Sequence, residues 1–173
     1  MARSEEEIFA PCAAAALYQR KSVTDVGGFD EDYFCYSEDI DLGFRLRARG
    51  CKAWYLPEAV VRHAGSAVTG KRSDFSIYHG HRNLVWTFVK NMPGIHMWRF
   101  LPQHLVLNLA SLVSYMMHGQ ARVILRAKRD ALRGLGRVIA KRRIERRMRL
   151  VQPRDIVATM RRGWLAPYRN RHE

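Results

Sequence analysis

The chain has 173 residues, is 47% hydrophobic and carries a formal net charge of +14, which excludes compositional disorder and allows one domain with a sizeable core. Its three cysteines, Cys12, Cys35 and Cys51, form neither a Cys-x-x-Cys pair nor an even-numbered framework, so they read as reduced thiols of a cytosolic compartment. The first seven residues lack the apolar core of a signal peptide, and no run of about 18 uncharged apolar residues spells a membrane-crossing helix.

Residues 8–18 form a short apolar run that fits a buried strand, because Pro11 and the short length argue against a helix. Arg20 to Val26 suits one or two helical turns stopped by Gly27-Gly28. A loop follows through Tyr36. Ser37 then reads as the N-cap of a helix from Glu38 to about Arg49, with Gly50 closing it. Within that helix Asp41 and Arg45 are an i,i+4 pair in the favourable order.

Residues 51–56 and 59–63 read as two short strands separated by Pro57-Glu58. Beyond a Gly/Ser/Thr loop over 64–73, helical patterns run over 74–91, 95–118 and 120–150. In the last, Ile124, Ala127, Ala131, Leu135 and Val138 recur at helical spacing with arginines on the other face. The tail after Pro153 reads as irregular and basic.

Six carboxylates crowd the twelve residues from Asp30 to Asp41. Glu38 and Asp39 would sit in the first turn of their helix, where the dipole favours the ionised form. A carboxylate kept ionised in a cleft can accept a proton from an attacking hydroxyl. Acids also occur in first turns for helix stability alone, and spacing does not separate the two readings. Asp39-Ile40-Asp41 spells Asp-x-Asp, but side chains two apart on a helix point about 200° apart and do not share a metal.

His63 ends a strand-like run beside Ala64-Gly65-Ser66, where a ligand could come close. Neutral imidazole suits a divalent cation, and equally suits a structural hydrogen bond. Phe34, Tyr36, Trp54 and Tyr55 flank the acids and either stack on a sugar ring or form core, the core reading being stronger for Trp54. Arg82 follows His79 and His81 on the next helix and could clamp a phosphate, its default being a solvated guanidinium.

The charge is unevenly placed. Residues 1–119 hold 13 Lys/Arg and 12 Asp/Glu, whereas residues 120–173 hold 17 and 4. Residues 120–150 contain no aromatic, which argues against nucleic acid as the partner of the basic part. Residues 95–118 are rich in Leu, Val, Met and aromatics with Arg99 as their one formal charge. That pattern suits a helix lying in an anionic membrane surface beside a polybasic neighbour, or one packed on the globular part.

The succession Gly27-Gly28-Phe29-Asp30-Glu31, Phe34, Glu38-Asp39, Asp41-Leu42, Arg45 and Gly50 resembles the acceptor-side motif of glycosyltransferase family 2, in particular its rhamnosyltransferase-like members. Val61-Arg62-His63-Ala64-Gly65-Ser66 and Tyr78-(x)3-Arg82-Asn83 resemble the next two motifs, in the expected order, so that the likeness covers roughly residues 8–95.

The resemblance implies an α/β fold, the C-terminal acceptor-side part of a GT-A nucleotide-diphospho-sugar transferase fold, followed by long amphipathic basic helices. The expected organisation is an acceptor-side part over residues 1–92, a membrane-associating helical region over 93–150 and a basic tail over 151–173. The implied reaction is inverting transfer of a sugar, rhamnose being one candidate, from a nucleotide-sugar donor to a cell-surface polysaccharide or polyprenyl-diphosphate-linked glycan, at the cytoplasmic face of a bacterial inner membrane or in the cytoplasm. Asp39 matches the base and Glu38 its support. His63 matches a position that completes the coordination of Mn²⁺ or Mg²⁺ in some members, and Phe34, Tyr36, Trp54 and Arg82 are candidate substrate contacts.

No nucleotide-binding half and no loop-borne Asp-x-Asp stand before residue 8. The expectation is therefore a fragment or split-gene product, with weak or no activity alone and metal ligands supplied elsewhere. The competing expectation is a non-catalytic basic module that binds membrane or nucleic acid and whose acid cluster is only structural.

Overall fold

The structure, a computed structural model, describes residues 4–62 and 73–160. Strand β1 (Glu6–Ile8) pairs antiparallel with β2 (Ala53–Tyr55), Glu6 opposite Tyr55 and Ile8 opposite Ala53. The other regular elements among the described residues are helical. They are 3-10 turns at Ala13–Ala15 and Glu31–Tyr33, and helices α1 (Arg20–Asp25), α2 (Glu38–Ala48), α3 (Asp74–Asn91), α4 (His96–Met117), α5 (Ala121–Arg133), α6 (Leu135–Met148) and α7 (Pro153–Ala158). The α/β expectation is met, among these residues, in one short ribbon only.

Residues 8–18 were expected as a buried strand, but only Ile8 is in a strand and the alanines form the Ala13–Ala15 turn. The reason lies in α2. Its residues Asp39, Gly43 and Arg47 fall four apart on one face and hold this segment as an irregular strap. Asp39 accepts the Ala13 amide at 3.2 Å, and Arg47 donates to the Phe9 carbonyl at 3.1 Å, donates to the Ile8 carbonyl and pairs with Glu7. Between them, Gly43 lets the strap lie against the helix: a Cβ there would meet the Ala10 Cβ at 2.4 Å.

Ser37 is the residue before α2, but its φ of 65° is left-handed and its side chain makes no capping bond. Its carbonyl instead accepts the Asp41 amide at 2.9 Å. Gly50 follows α2 at φ 85°, where glycine is favoured. Residues 59–62, read as a strand, belong to none; His63 lies outside the described residues.

Helix α3 is central, packed by α5 and α6 and touched by α2. One core group joins Phe44 and Ala48 of α2 to Phe88 and Met92 at the end of α3, and to Ile156 of α7. A second joins Tyr33 and Trp86 to Ala131 of α5 and Val138 of α6. The tail was expected to be irregular after Pro153. Instead Pro153 starts α7 at a position that needs no amide donor, and Ile156 and Val157 are buried. The single helix expected over 120–150 is two. It breaks at Gly134, where a Cβ would meet the Trp86 ring at 2.5 Å.

Candidate active site

Apart from the exposed Glu31, the acids from Asp30 to Asp41 separate into two groups. Asp41 is fully buried and is met by Arg45 at 2.8 Å, Lys90 at 2.7 Å and the Asn91 amide at 2.8 Å. Arg45 also donates to the carbonyls of Val26 and Gly28, at 2.8 and 2.6 Å, so the same pair ties α2 to the glycine turn. Asp30 holds Lys90 and Lys141, both at 2.6 Å, while Asp32 holds Lys141 at 2.7 Å and Arg137 at 3.1 Å. Burial pushes the Asp30 carboxyl up, but hydrogen bonds from Lys141 and Lys90 outweigh it and hold the pKa at about 2. A cleft of about 410 Å³ lies beside these pairs, where Asp30 and Asp32 are already held by Lys90 and Lys141. Asp41 is structural, as its i,i+4 spacing from Arg45 suggested.

Glu38 and Asp39 differ from those acids, because no lysine or arginine neutralises them among the described contacts. Asp39 is half-buried at the start of α2 and accepts the amides of Ala13 at 3.2 Å and Ile40 at 2.8 Å. Backbone donors and the helix dipole therefore supply its positive environment without quenching it with a counter-ion. Burial pushes the Glu38 carboxyl up; its own amide opposes this, and the Asp39 charge adds to it. Its Oε2 is buried without a hydrogen-bond partner in the described structure. The Tyr18 hydroxyl is likewise buried and unpartnered, and is pushed up by burial and then by the charge of Asp39. Cys35, whose thiol is raised by burial and by Glu38, borders the same place.

Beside this pair stands an aromatic platform. Phe34 is 75% exposed and lies 6.2 Å from the Phe75 ring and 5.4 Å from His79, while Phe75 and His79 are 4.5 Å apart and Tyr36 is 6.3 Å from Phe75. Burial, then the Arg82 charge, lowers the His79 pKa, so this ring is neutral. Phe34, Tyr36 and Ser37 all have positive φ, at 61°, 69° and 65°, a conformation that costs a side-chain-bearing residue energy. Buried Asn83 holds it there, its amide reaching the carbonyls of Tyr33, Cys35 and Tyr36 at 2.9, 2.7 and 2.8 Å.

Arg82 was a candidate substrate or phosphate contact whose default was a solvated guanidinium. It is instead occupied inside the protein, donating to the carbonyls of Asp32 and Tyr33, both at 3.0 Å, and lying 4.3 Å over Trp86. The Arg82-Asn83 pair thus clamps the loop that presents Phe34. Trp54 is not core: it is 51% exposed on β2, opposite Glu7, and takes part in none of the platform's ring contacts. Among the described residues no three His, Cys, Asp or Glu side chains converge as a metal site. His63, the candidate cation ligand, lies outside the described residues.

Phe75, His79 and Tyr18 were missed by sequence reasoning. Phe75 and His79 are i,i+4 at the start of α3 and could have been read as one face. Nothing in the spacing brings Tyr18 to Glu38.

An unquenched carboxyl pair beside exposed rings is suited to binding a polyhydroxyl ligand and taking a proton from it. Residues 1–84 match the family described as glycosyltransferase-like family 2. A stretch of 55 residues, 32% of the chain, is 47% identical to proteins named N-acetylglucosaminyl-diphospho-decaprenol L-rhamnosyltransferase in two strains of Mycobacterium tuberculosis, CDC 1551 and H37Rv. It spans 18% of those relatives' length. No solved structure matches the chain significantly.

Proposed function

We propose that Glu38 and Asp39 are the acceptor-activating end of an inverting, GT-A-type glycosyl transfer site. The acceptor hydroxyl sits at the start of α2. Asp39 takes its proton as the oxygen attacks the anomeric carbon of a nucleotide-sugar donor, and the bond from that carbon to the diphosphate oxygen breaks. The nucleoside diphosphate leaves with the bonding electron pair. Glu38 accepts a hydrogen bond from the acceptor through its unpartnered Oε2, and the Phe34 platform carries a sugar ring of the acceptor. Given the relatives' printed names, the acceptor is a polyprenyl-diphosphate-linked glycan and the donor sugar a rhamnose.

The observation that carries this reading is that Asp39 is held by two backbone amides while Asp30, Asp32 and Asp41 are spent on lysines and arginines. The test is sugar transfer to such an acceptor by a complete enzyme carrying this segment. Asp39→Asn is expected to lower kcat by about a hundred- to ten-thousandfold, the usual range for loss of a general base, with the KM for the donor little changed. Turnover retained in Asp39→Asn would remove the assignment.

A further inference from the structure

Helix α4 exposes an apolar outer side, while its inner side mixes polar groups with Met97, Phe100 and Leu101, which pack on the core group of Phe44 and Phe88. Toward the protein it turns His104, stacked 4.0 Å from Phe88; Asn108, which takes the ammonium of Lys128; and Tyr115, 5.0 Å from His81. Outward it turns Trp98, Leu105, Leu109 (61% exposed), Val113 and Met117 (81% exposed). These recur at steps of seven and then four residues along the outer side of a 22-residue helix. Around Leu109 and Val113 the stripe forms an open hollow of about 510 Å³, also lined by Val106 and Met117.

The neighbouring helix says what covers the stripe. On α5, Lys128 faces α4, so Leu125 and Leu132, three residues before it and four after, lie on the flank beside α4; both are exposed. Arg122 and Arg129 form the next column, each three or four residues from those leucines, and both are exposed. Arg99, exposed next to Trp98 in the chain, adds a charge near the start of α4. An apolar strip bordered by arginines, with a tryptophan near one end, fits acyl chains beneath a layer of phosphates.

A second copy of the chain docked by the same stripe would set one arginine column beside another, like charge near like. Phosphate headgroups neutralise both. No helix among the described residues is long and apolar enough to cross a membrane, so the geometry is that of a helix lying in the surface. We infer that α4 and the adjoining flank of α5 dock this chain on an anionic lipid surface, α4 lying in the plane with Leu109 and Val113 among the acyl chains and Arg122 and Arg129 on the phosphates. The inference rests on this surface alone and is independent of the roles given to Glu38 and Asp39.

The test is flotation of the full chain with vesicles of phosphatidylcholine, and with vesicles in which roughly a quarter is replaced by phosphatidylglycerol. The chain is expected to float with the anionic vesicles and weakly with the neutral ones. Leu109→Glu with Val113→Glu should lower partitioning at least about tenfold. Arg122→Gln with Arg129→Gln should lower it about tenfold and flatten its dependence on salt. Circular dichroism checks the helix content; if the glutamates reduce it, Leu109→Gln with Val113→Thr gives the same reading with a smaller loss. Absence of flotation overturns the inference. So does flotation that the apolar substitutions leave unchanged, or a chain that is dimeric in light scattering and made monomeric by those substitutions.

Discussion

Asp39 and Gly43 stand one helical turn apart on the same face of α2, and both touch the strap before α1. Asp39 accepts the Ala13 amide at 3.2 Å, and the bare Cα of Gly43 admits Ala10, whose Cβ would be 2.4 Å from any Cβ placed there. The orientation of the proposed base therefore depends on a residue with no chemistry of its own. Arg47, one turn further on, fixes the other end of the strap.

Gly43→Ala sets two effects against each other. Alanine gains about 1 kcal/mol over glycine in a helix interior. An overlap at 2.4 Å with a backbone-anchored methyl forces the strap away, and overpacking of this kind costs about 1–3 kcal/mol. The expected result is a net loss of stability, faster hydrogen exchange at the Ala13 amide, and a fall in kcat with an unchanged KM for the donor. An unchanged Ala13 exchange rate would show that Gly43 does not hold the strap.

Lys90 is buried between Asp30 and Asp41, 2.6 and 2.7 Å from them. Lys90→Met leaves both acids short of a partner, and removing one side of a buried pair costs about 3–5 kcal/mol. Urea unfolding at neutral pH should show this loss, and it should shrink in acid as Asp30 protonates. In the parent chain the Asp30 pKa is depressed from 3.8 to about 2. Its contribution is fully present above pH 3.8 and is lost as the pH falls through 2; it is on the order of 2 kcal/mol. Asp30→Asn should remove that part of the acid dependence.

Much of the helical frame was legible in the chain. The Asp74–Asn91 helix and the α4 span follow from apolar periodicity and from Pro93-Gly94 between them, and the Asp41–Arg45 pair follows from spacing alone. What was not legible depends on contacts distant in sequence. Gly134 breaks the basic helix because Trp86, far back in the chain, lies under it. Pro153 to Ala158 becomes a helix because Phe44 and Met92 offer it a place to bury Ile156. The same holds at the site: first-turn acids look alike in sequence, and only the positions of Lys90, Lys141 and Arg137 show which of the nearby carboxylates are spent.

Arg82→Lys tests whether this residue serves structure or phosphate. Lysine keeps the charge but loses the planar fork that reaches the carbonyls of Asp32 and Tyr33 and lies over Trp86. Loss of those contacts should cost about 1–2 kcal/mol and shift the Trp86 fluorescence. The KM for a nucleotide-sugar donor should not move. A large rise in that KM at unchanged stability would return Arg82 to the diphosphate.

His81 and His104 give a separate acid dependence. Burial, and then the Lys128 ammonium, holds each imidazole at about 4, below its usual 6.5. Between those values the unfolded chain binds more protons than the folded one, so stability falls as the pH drops from 6.5 through 4. Asp30 contributes only below that window, which keeps the two effects apart. His104→Phe retains an aromatic ring for the stack on Phe88 and removes the titrating nitrogen. Its urea midpoint should change less between pH 7 and pH 5 than that of the parent, and His81→Gln should act in the same direction. An unchanged slope in both variants would mean that neither imidazole is kept neutral by the contacts of α4 and α5.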